Sequence, residues 1–96
     1  MMKNTLISAV ILVSSLAASA ASAACYADYK AKQDNPLKLH YGVIELRGDC
    51  NKKSAKKEIA KRISGDGWDV MNVMAVFDES GLEGRKADAG QYYLRY

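Results

Sequence analysis

The sequence contains one histidine, one proline and two cysteines among its 96 residues. A catalytic or metal site at His40 would need converging partner groups, and no motif in the sequence supplies them. Cys25 and Cys50 are too far apart for the closely spaced pair that redox catalysis usually uses. Gly65-Asp66-Gly67 is not a phosphate loop, because it follows a predicted helix, whereas such loops precede one. The sequence therefore predicts no catalytic residues, no metal site and no cofactor.

Residues 1–23 have the three-part pattern of a secretory signal peptide. A positive start with Lys3 precedes the apolar run 6–16, and small residues ending in Ala21-Ser22-Ala23 follow it. The apolar run is shorter than the roughly 20 residues of a membrane-spanning helix. We expect cleavage near Ala23 and a periplasmic or secreted protein.

Lipidation is the alternative fate of the new N-terminus. Ala23-Ala24-Cys25 resembles the cleavage motif of bacterial lipoproteins, although Ser22 stands where leucine is usual. A lipid on Cys25 would anchor the protein to a membrane and leave Cys50 free. A disulfide between the two cysteines is the prediction that fits an oxidising compartment. It would close a loop of about 25 residues and contribute on the order of 3–4 kcal/mol.

The excess positive charge is small and clustered. The formal net charge is +3, and removal of Lys3 with the signal peptide lowers it to +2. The basic residues gather on one predicted helix at positions 52, 53, 56, 57, 61 and 62. Such a row is typical of a solvated helix face, and export argues against a nucleic-acid partner.

The stretch 51–77 reads as a helix, a glycine turn and a strand. Ala55, Ile59 and Ile63 recur at helical spacing, with Asn51 or Ser54 as N-cap. Gly65 is expected to close the helix in a left-handed conformation. The run from Trp68 to Phe77 is apolar on both faces, which predicts a central or doubly covered strand.

Two further strands complete the predicted sheet. Residues 37–46 alternate as a strand after the Asn35-Pro36 turn, and residues 91–96 form a short aromatic strand. The last two strands are expected to pair as a hairpin. The prediction is an α+β protein: a single small βαββ domain at 37–96 with one helix on a three-stranded sheet. Residues 24–36 precede it as a segment tied by the disulfide, with a helical turn as one option.

Gly67-Trp68 opening a strand, together with the closing Tyr-Tyr-Leu-Arg-Tyr, resembles small bacterial βαββ domains of unknown function. The mature start Cys-Tyr-Ala-Asp-Tyr is similar to that of exported, uncharacterised bacterial proteins. The resemblance implies the fold over residues 37–96. It implies no activity and brings no catalytic residues.

Aromatic side chains provide the candidate interaction surface, because tyrosine combines apolar area with a hydroxyl group. The predicted surface consists of Tyr41, Trp68, Tyr92, Tyr93 and Tyr96. We therefore expect a non-enzymatic binding module of the bacterial periplasm, acting on an envelope protein or as a homodimer. One alternative is the lipoprotein. The other is a small-ligand binder or enzyme with a site near His40, Asp69 and a tyrosine, although a half-exposed surface histidine is the simpler interpretation of His40.

Overall fold

The computed structural model describes residues 24–96, so the predicted signal peptide lies outside the described residues. The chain forms β1 (Cys25–Gln33), β2 (Lys38–Leu46), α1 (Lys52–Ser64), β3 (Asp69–Phe77) and α2 (Glu83–Ala89). Short 3₁₀ turns at Glu79–Gly81 and Gly90–Tyr92 flank α2. The three strands form an antiparallel sheet in the order β2-β1-β3. The predicted α+β class, with a three-stranded sheet and a helix packed on it, is confirmed.

The central strand is β1, from a segment in which the sequence suggested at most a helical turn. That expectation is wrong, because β1 pairs along its length with β2 and along most of it with β3. Its side chains alternate in a way that buries both faces. Ala27, Tyr29 and Ala31 face α1, while Tyr26 and Asp28 are buried on the opposite side.

A tight turn joins β1 to β2 at the predicted Asn35-Pro36 position. The register runs from Cys25 opposite Leu46 to Gln33 opposite Lys38. The Asn35–Pro36 peptide bond is cis, and the turn occupies residues 34–37. The β1–β2 hairpin therefore replaces the hairpin that was expected from the last two predicted strands.

Helix α1 covers one face of the sheet. Of the two predicted N-caps, Asn51 is the one that caps the helix, because its side-chain oxygen accepts a hydrogen bond from the Ser54 backbone N–H at 2.9 Å. The prediction for Gly65 is wrong: it keeps right-handed helical geometry, and Gly67 adopts the positive φ of 81° instead. The buried core on this side joins the helix to the sheet through Ala27, Tyr29, Ala31, Ile44, Leu46, Ala55, Ile59, Ile63 and Trp68.

Strand β3 lies at an edge of the sheet and exposes Met71 and Met74, so the prediction of a central or doubly covered strand is wrong. Its inner side chains, Val70, Val73 and Val76, pack against the α1 core. The register to β1 shifts twice, which leaves Met71 and Met74 as extra residues in two bulges. The apolar content that suggested a central strand therefore belongs partly to exposed bulge positions.

The predicted strand at 91–96 is also wrong. The segment before it contains α2, and Gly90–Tyr92 forms a 3₁₀ turn. Positive φ values of 54° at Gly90 and 53° at Leu94 prevent a continuous extended backbone. Only a single parallel bridge, between Val43 and Tyr93, links this segment to the sheet.

The disulfide between Cys25 and Cys50 is confirmed, with the two Cα atoms 6.0 Å apart. It joins the first residue of the central strand to the loop that precedes α1. The bond uses the Cys25 sulfur, the atom that a lipid anchor would occupy. A disulfide also points to an oxidising, non-cytoplasmic location.

Candidate interaction surfaces

The five aromatic residues of the predicted surface do not lie together. Trp68 is buried, and Tyr92 and Tyr96 pack against the same α1-side core. Tyr41 lies on the opposite face of the sheet, because it is adjacent in β2 to His40, which contacts Trp68. Tyr93 lies at the outer side of β2, with the Lys86 ammonium 5.8 Å from its ring centroid. Most of this aromatic area therefore serves the core.

His40 is buried, with 8% of its surface exposed, so the interpretation as a half-exposed surface histidine is wrong. Its ring stacks on Tyr92 with 3.7 Å between centroids and meets Trp68 edge to face at 4.3 Å. Nε2 lies 3.0 Å from the Tyr29 hydroxyl, whereas the buried Nδ1 has no hydrogen-bond partner. Burial, followed by the nearby positive charge of Arg95, lowers the pKa of His40. Burial likewise raises the pKa of Tyr29.

The alternative site around His40 and Asp69 is not assembled. Asp69 pairs with Lys32 and His40 with Ala31, two neighbouring β1 residues whose side chains point to opposite faces. A shallow depression of about 250 Å³ beside His40 is lined by Lys30, Leu39 and Tyr41. Across residues 24–96, no three His, Cys, Asp or Glu side chains converge as metal ligands.

Asp66, two residues before Trp68, lies in the predicted glycine turn. Asp66 lies between α1 and β3, and its carboxylate accepts a hydrogen bond from the Tyr96 hydroxyl at 2.8 Å. Its carbonyl oxygen accepts another from the Gln33 amide at 2.8 Å. Asp66 therefore ties the turn to the C-terminal segment and to the end of β1.

The buried carboxylate of Asp28, which the sequence analysis did not single out, organises the opposite face of the sheet. One Asp28 oxygen accepts hydrogen bonds from the Tyr41 hydroxyl at 2.8 Å and from Arg85 Nε at 3.0 Å. The other accepts the backbone N–H of Ala75 at 2.8 Å, next to a bulge of β3. Burial and the Asp28 carboxylate raise the pKa of Tyr41 to about 12.

Arg85 extends this network to the turn before α2. It donates to the Gly81 carbonyl at 2.8 Å, and its guanidinium lies 4.0 Å from the Phe77 ring centroid. Every Asp28 oxygen thus has protein partners from β2, β3 or α2, which is typical of a structural ion pair. The alternation Tyr-Ala-Asp-Tyr-Lys-Ala at 26–31 was the only sequence signal that could have placed Asp28 on a covered strand face.

The C-terminal segment contacts the free side of β2 at Val43. The Leu94 N–H donates to the Val43 carbonyl at 2.8 Å. Arg62 of α1 donates to the carbonyl oxygen of Tyr96 at 2.6 Å. The segment thereby fills one hydrogen-bonding position, at Val43, that the edge strand would otherwise leave open.

The outer side of β3 has no such cover from the part of the chain that the structure describes. β3 is the last strand on that side of the sheet. Met71 and Met74 are 46% and 41% exposed at its two bulges. We call this surface the methionine edge and define it by these two residues on β3.

Comparison of the chain with protein-family models, curated proteins and solved structures found no match. Within residues 24–96, no helix has the length and apolar character needed to cross a membrane. The function must therefore be inferred from the surfaces described above.

Proposed function

We propose that this chain is an exported, non-enzymatic binding module of the bacterial periplasm that contacts a partner protein through the methionine edge. The observation that carries the proposal is the difference between the two sides of the sheet. The outer side of β2 is hydrogen-bonded at Val43 by the C-terminal segment, whereas no described segment bonds the outer side of β3, where Met71 and Met74 are exposed.

The chemistry of the edge suits protein recognition. Methionine is flexible and polarizable, so it adapts to apolar partner surfaces. The two bulges interrupt the regular hydrogen-bond ladder of β3 and disfavour long strand-to-strand pairing. Contact through the methionine side chains, with short stretches of backbone beside them, fits this geometry better than full strand addition.

Export supports the same function. The Cys25–Cys50 disulfide fits an oxidising compartment, and residues 1–23 have the signal-peptide pattern. The partner is an envelope protein or a second copy of the chain. These two cases are distinguished by light scattering after size exclusion, which gives a dimer mass only when the partner is a second copy.

The test is capture from periplasmic extract on the immobilised oxidised protein, followed by mass spectrometry. The double variant Met71→Glu/Met74→Glu places two charges on the methionine edge and should abolish capture and any dimer. Leu37→Glu/Leu39→Glu is the matched control, because these residues are even more exposed, at 64% and 63%, and lie near the β1–β2 turn. Equal loss in both variants, or full retention in the methionine variant, would contradict the proposal.

A further inference from the structure

Helix α1 presents a second surface of a different chemical kind. Lys53, Lys57 and Lys61 follow one another at four-residue spacing, and Lys52 and Lys56 lie beside them. All five side chains are exposed. We call these five residues the lysine face.

The lysine face has no compensating acid on its own helix. Glu58 is the only acidic residue of α1. Its carboxylate accepts hydrogen bonds from the backbone N–H groups of Arg47 and Gly48, at 2.9 and 3.0 Å. It also pairs with Arg62 at 2.7 Å. Among the ion pairs of residues 24–96, none includes a lysine of α1.

This arrangement is unfavourable for the isolated domain. Lysines four residues apart on a helix repel each other, and Lys52–Lys56, Lys53–Lys57 and Lys57–Lys61 are three such pairs. The first turn contains no acid, although Lys52 and Lys53 lie there at the positive end of the helix dipole. Alternating charges would keep the helix equally hydrated with less repulsion between side chains. A negatively charged partner would reduce the repulsion between these lysines.

A groove beside the lysine face extends the positive surface. It has a volume of about 520 Å³ and lies between α1 and the loop after β2. Its positive groups come from Arg47, Lys57, Lys61 and Arg62. The acids in it are Glu58, which is already hydrogen-bonded, and Asp49.

We propose that the lysine face binds the surface of a membrane rich in anionic phospholipid headgroups. A row of point charges along one helix suits a flat array of phosphates, and each lysine near such a surface contributes independently. Nucleic acid is the less suitable polyanion, because the lysine face offers no aromatic side chain for base stacking and the disulfide points to a non-cytoplasmic location. The membrane contact does not depend on the methionine edge.

The test is co-sedimentation of the oxidised protein with phospholipid vesicles. Binding to vesicles containing phosphatidylglycerol should be strong at low salt and lost at high salt, and vesicles of phosphatidylcholine alone should not bind. Replacing Lys53, Lys57 and Lys61 by glutamine should lower the partition coefficient on the order of 100-fold, at about fivefold per lysine. Arginine at the same three positions should retain binding, and circular dichroism should show the same helix content in both variants.

The matched control removes equal charge from another surface. Lys30→Gln/Lys32→Gln/Lys38→Gln changes lysines in or next to the β1–β2 hairpin, so it should leave most of the binding intact. An equal loss in this control would show that net charge alone matters and would overturn the proposal. Tighter binding to a DNA duplex than to the anionic vesicles would also overturn it, as would undiminished binding of the α1 glutamine variant.

Discussion

The ring of Tyr29 lies directly against the backbone of Gly42, its partner on the neighbouring strand. A Cβ atom at position 42 would come within 2.6 Å of the Tyr29 ring carbon Cζ and of its hydroxyl oxygen. Tyr29 is fully buried, and its hydroxyl group reaches His40. The absence of a side chain at Gly42 therefore makes room for the tyrosine that contacts His40.

Gly42→Ala should destabilise the protein by about 2–3 kcal/mol, because the added Cβ overlaps a fully buried ring and forces it or the backbone to shift. Gly84→Ala is the matched control, since a Cβ there meets nothing within 4 Å and the residue lies in α2. The control should be neutral or stabilising by up to about 1 kcal/mol. Urea unfolding of the oxidised proteins measures both, and equal stability of the two variants would contradict the packing account.

Removing the disulfide should lower the free energy of unfolding by on the order of 3–4 kcal/mol, because the bond closes a loop of about 25 residues. The variant is Cys25→Ser/Cys50→Ser, compared with the oxidised wild type in urea. Wild-type protein under reducing conditions should match the variant. An unchanged unfolding midpoint in both would show that the link contributes nothing to stability.

Stability should fall on mild acidification because of His40. Burial and Arg95 lower its pKa in the folded state, so the unfolded chain binds more protons once the pH drops below about 6.5. The free energy of unfolding should therefore be constant just above this pH and decrease below it, by at most about 1.4 kcal/mol per pH unit. This decrease in the free energy of unfolding ends once the pH falls below the pKa of His40 in the folded state.

The control for this prediction is His40→Gln, which should be less stable at neutral pH but should show no such decrease. The carboxyl groups of Glu58 and Asp78 have lowered pKa values, so their contributions are lost only below about pH 4.5. His40 is the only histidine, so no other imidazole titrates between about pH 4.5 and pH 6.5. A wild-type curve that is flat between these limits would contradict the assignment.

The ion pair between Asp28 and Arg85 should be important for stability. Asp28→Asn should reduce the free energy of unfolding by about 2–3 kcal/mol, because charged hydrogen bonds to a buried carboxylate are lost. Asp34→Asn removes an exposed pairing with Lys32 and should change stability by less than about 0.5 kcal/mol. Thermal unfolding of both variants tests this, and similar effects would argue against a structural network at Asp28.

The sequence predicted the elements whose patterns are local. The strands at 38–46 and 69–77 lie within one residue of their expected bounds, and helix α1 lies between Asn51, one of its two predicted N-caps, and Gly65, its predicted end. The disulfide followed from the cysteine count and the expected compartment. Each of these predictions depends on local hydrophobic periodicity, on helix capping or on cysteine chemistry, and tertiary packing does not change these signals.

The sheet order could not be predicted in the same way. The β1 segment uses alanine on its α1 side, and such small residues give a weak alternation signal although they suit close packing under α1. Residues 91–96 have strong aromatic alternation, but Tyr92 instead fills the space beside His40. In both cases, tertiary packing determined the structure that the segment adopts. The Asp28 network could not be predicted for a similar reason, because its members come from four separate elements.

Photo-crosslinking through methionine tests the central claim most directly. If the signal peptide is removed as expected, Met71 and Met74 are the only methionines left in the chain. Photo-methionine incorporated in cells that export the protein therefore places the reactive groups only on the methionine edge. Light should give a discrete crosslinked species, to one envelope protein or to a second copy, which excess unlabelled protein suppresses and which the Met71→Leu/Met74→Leu variant lacks. Absence of any discrete, competable species would contradict the account.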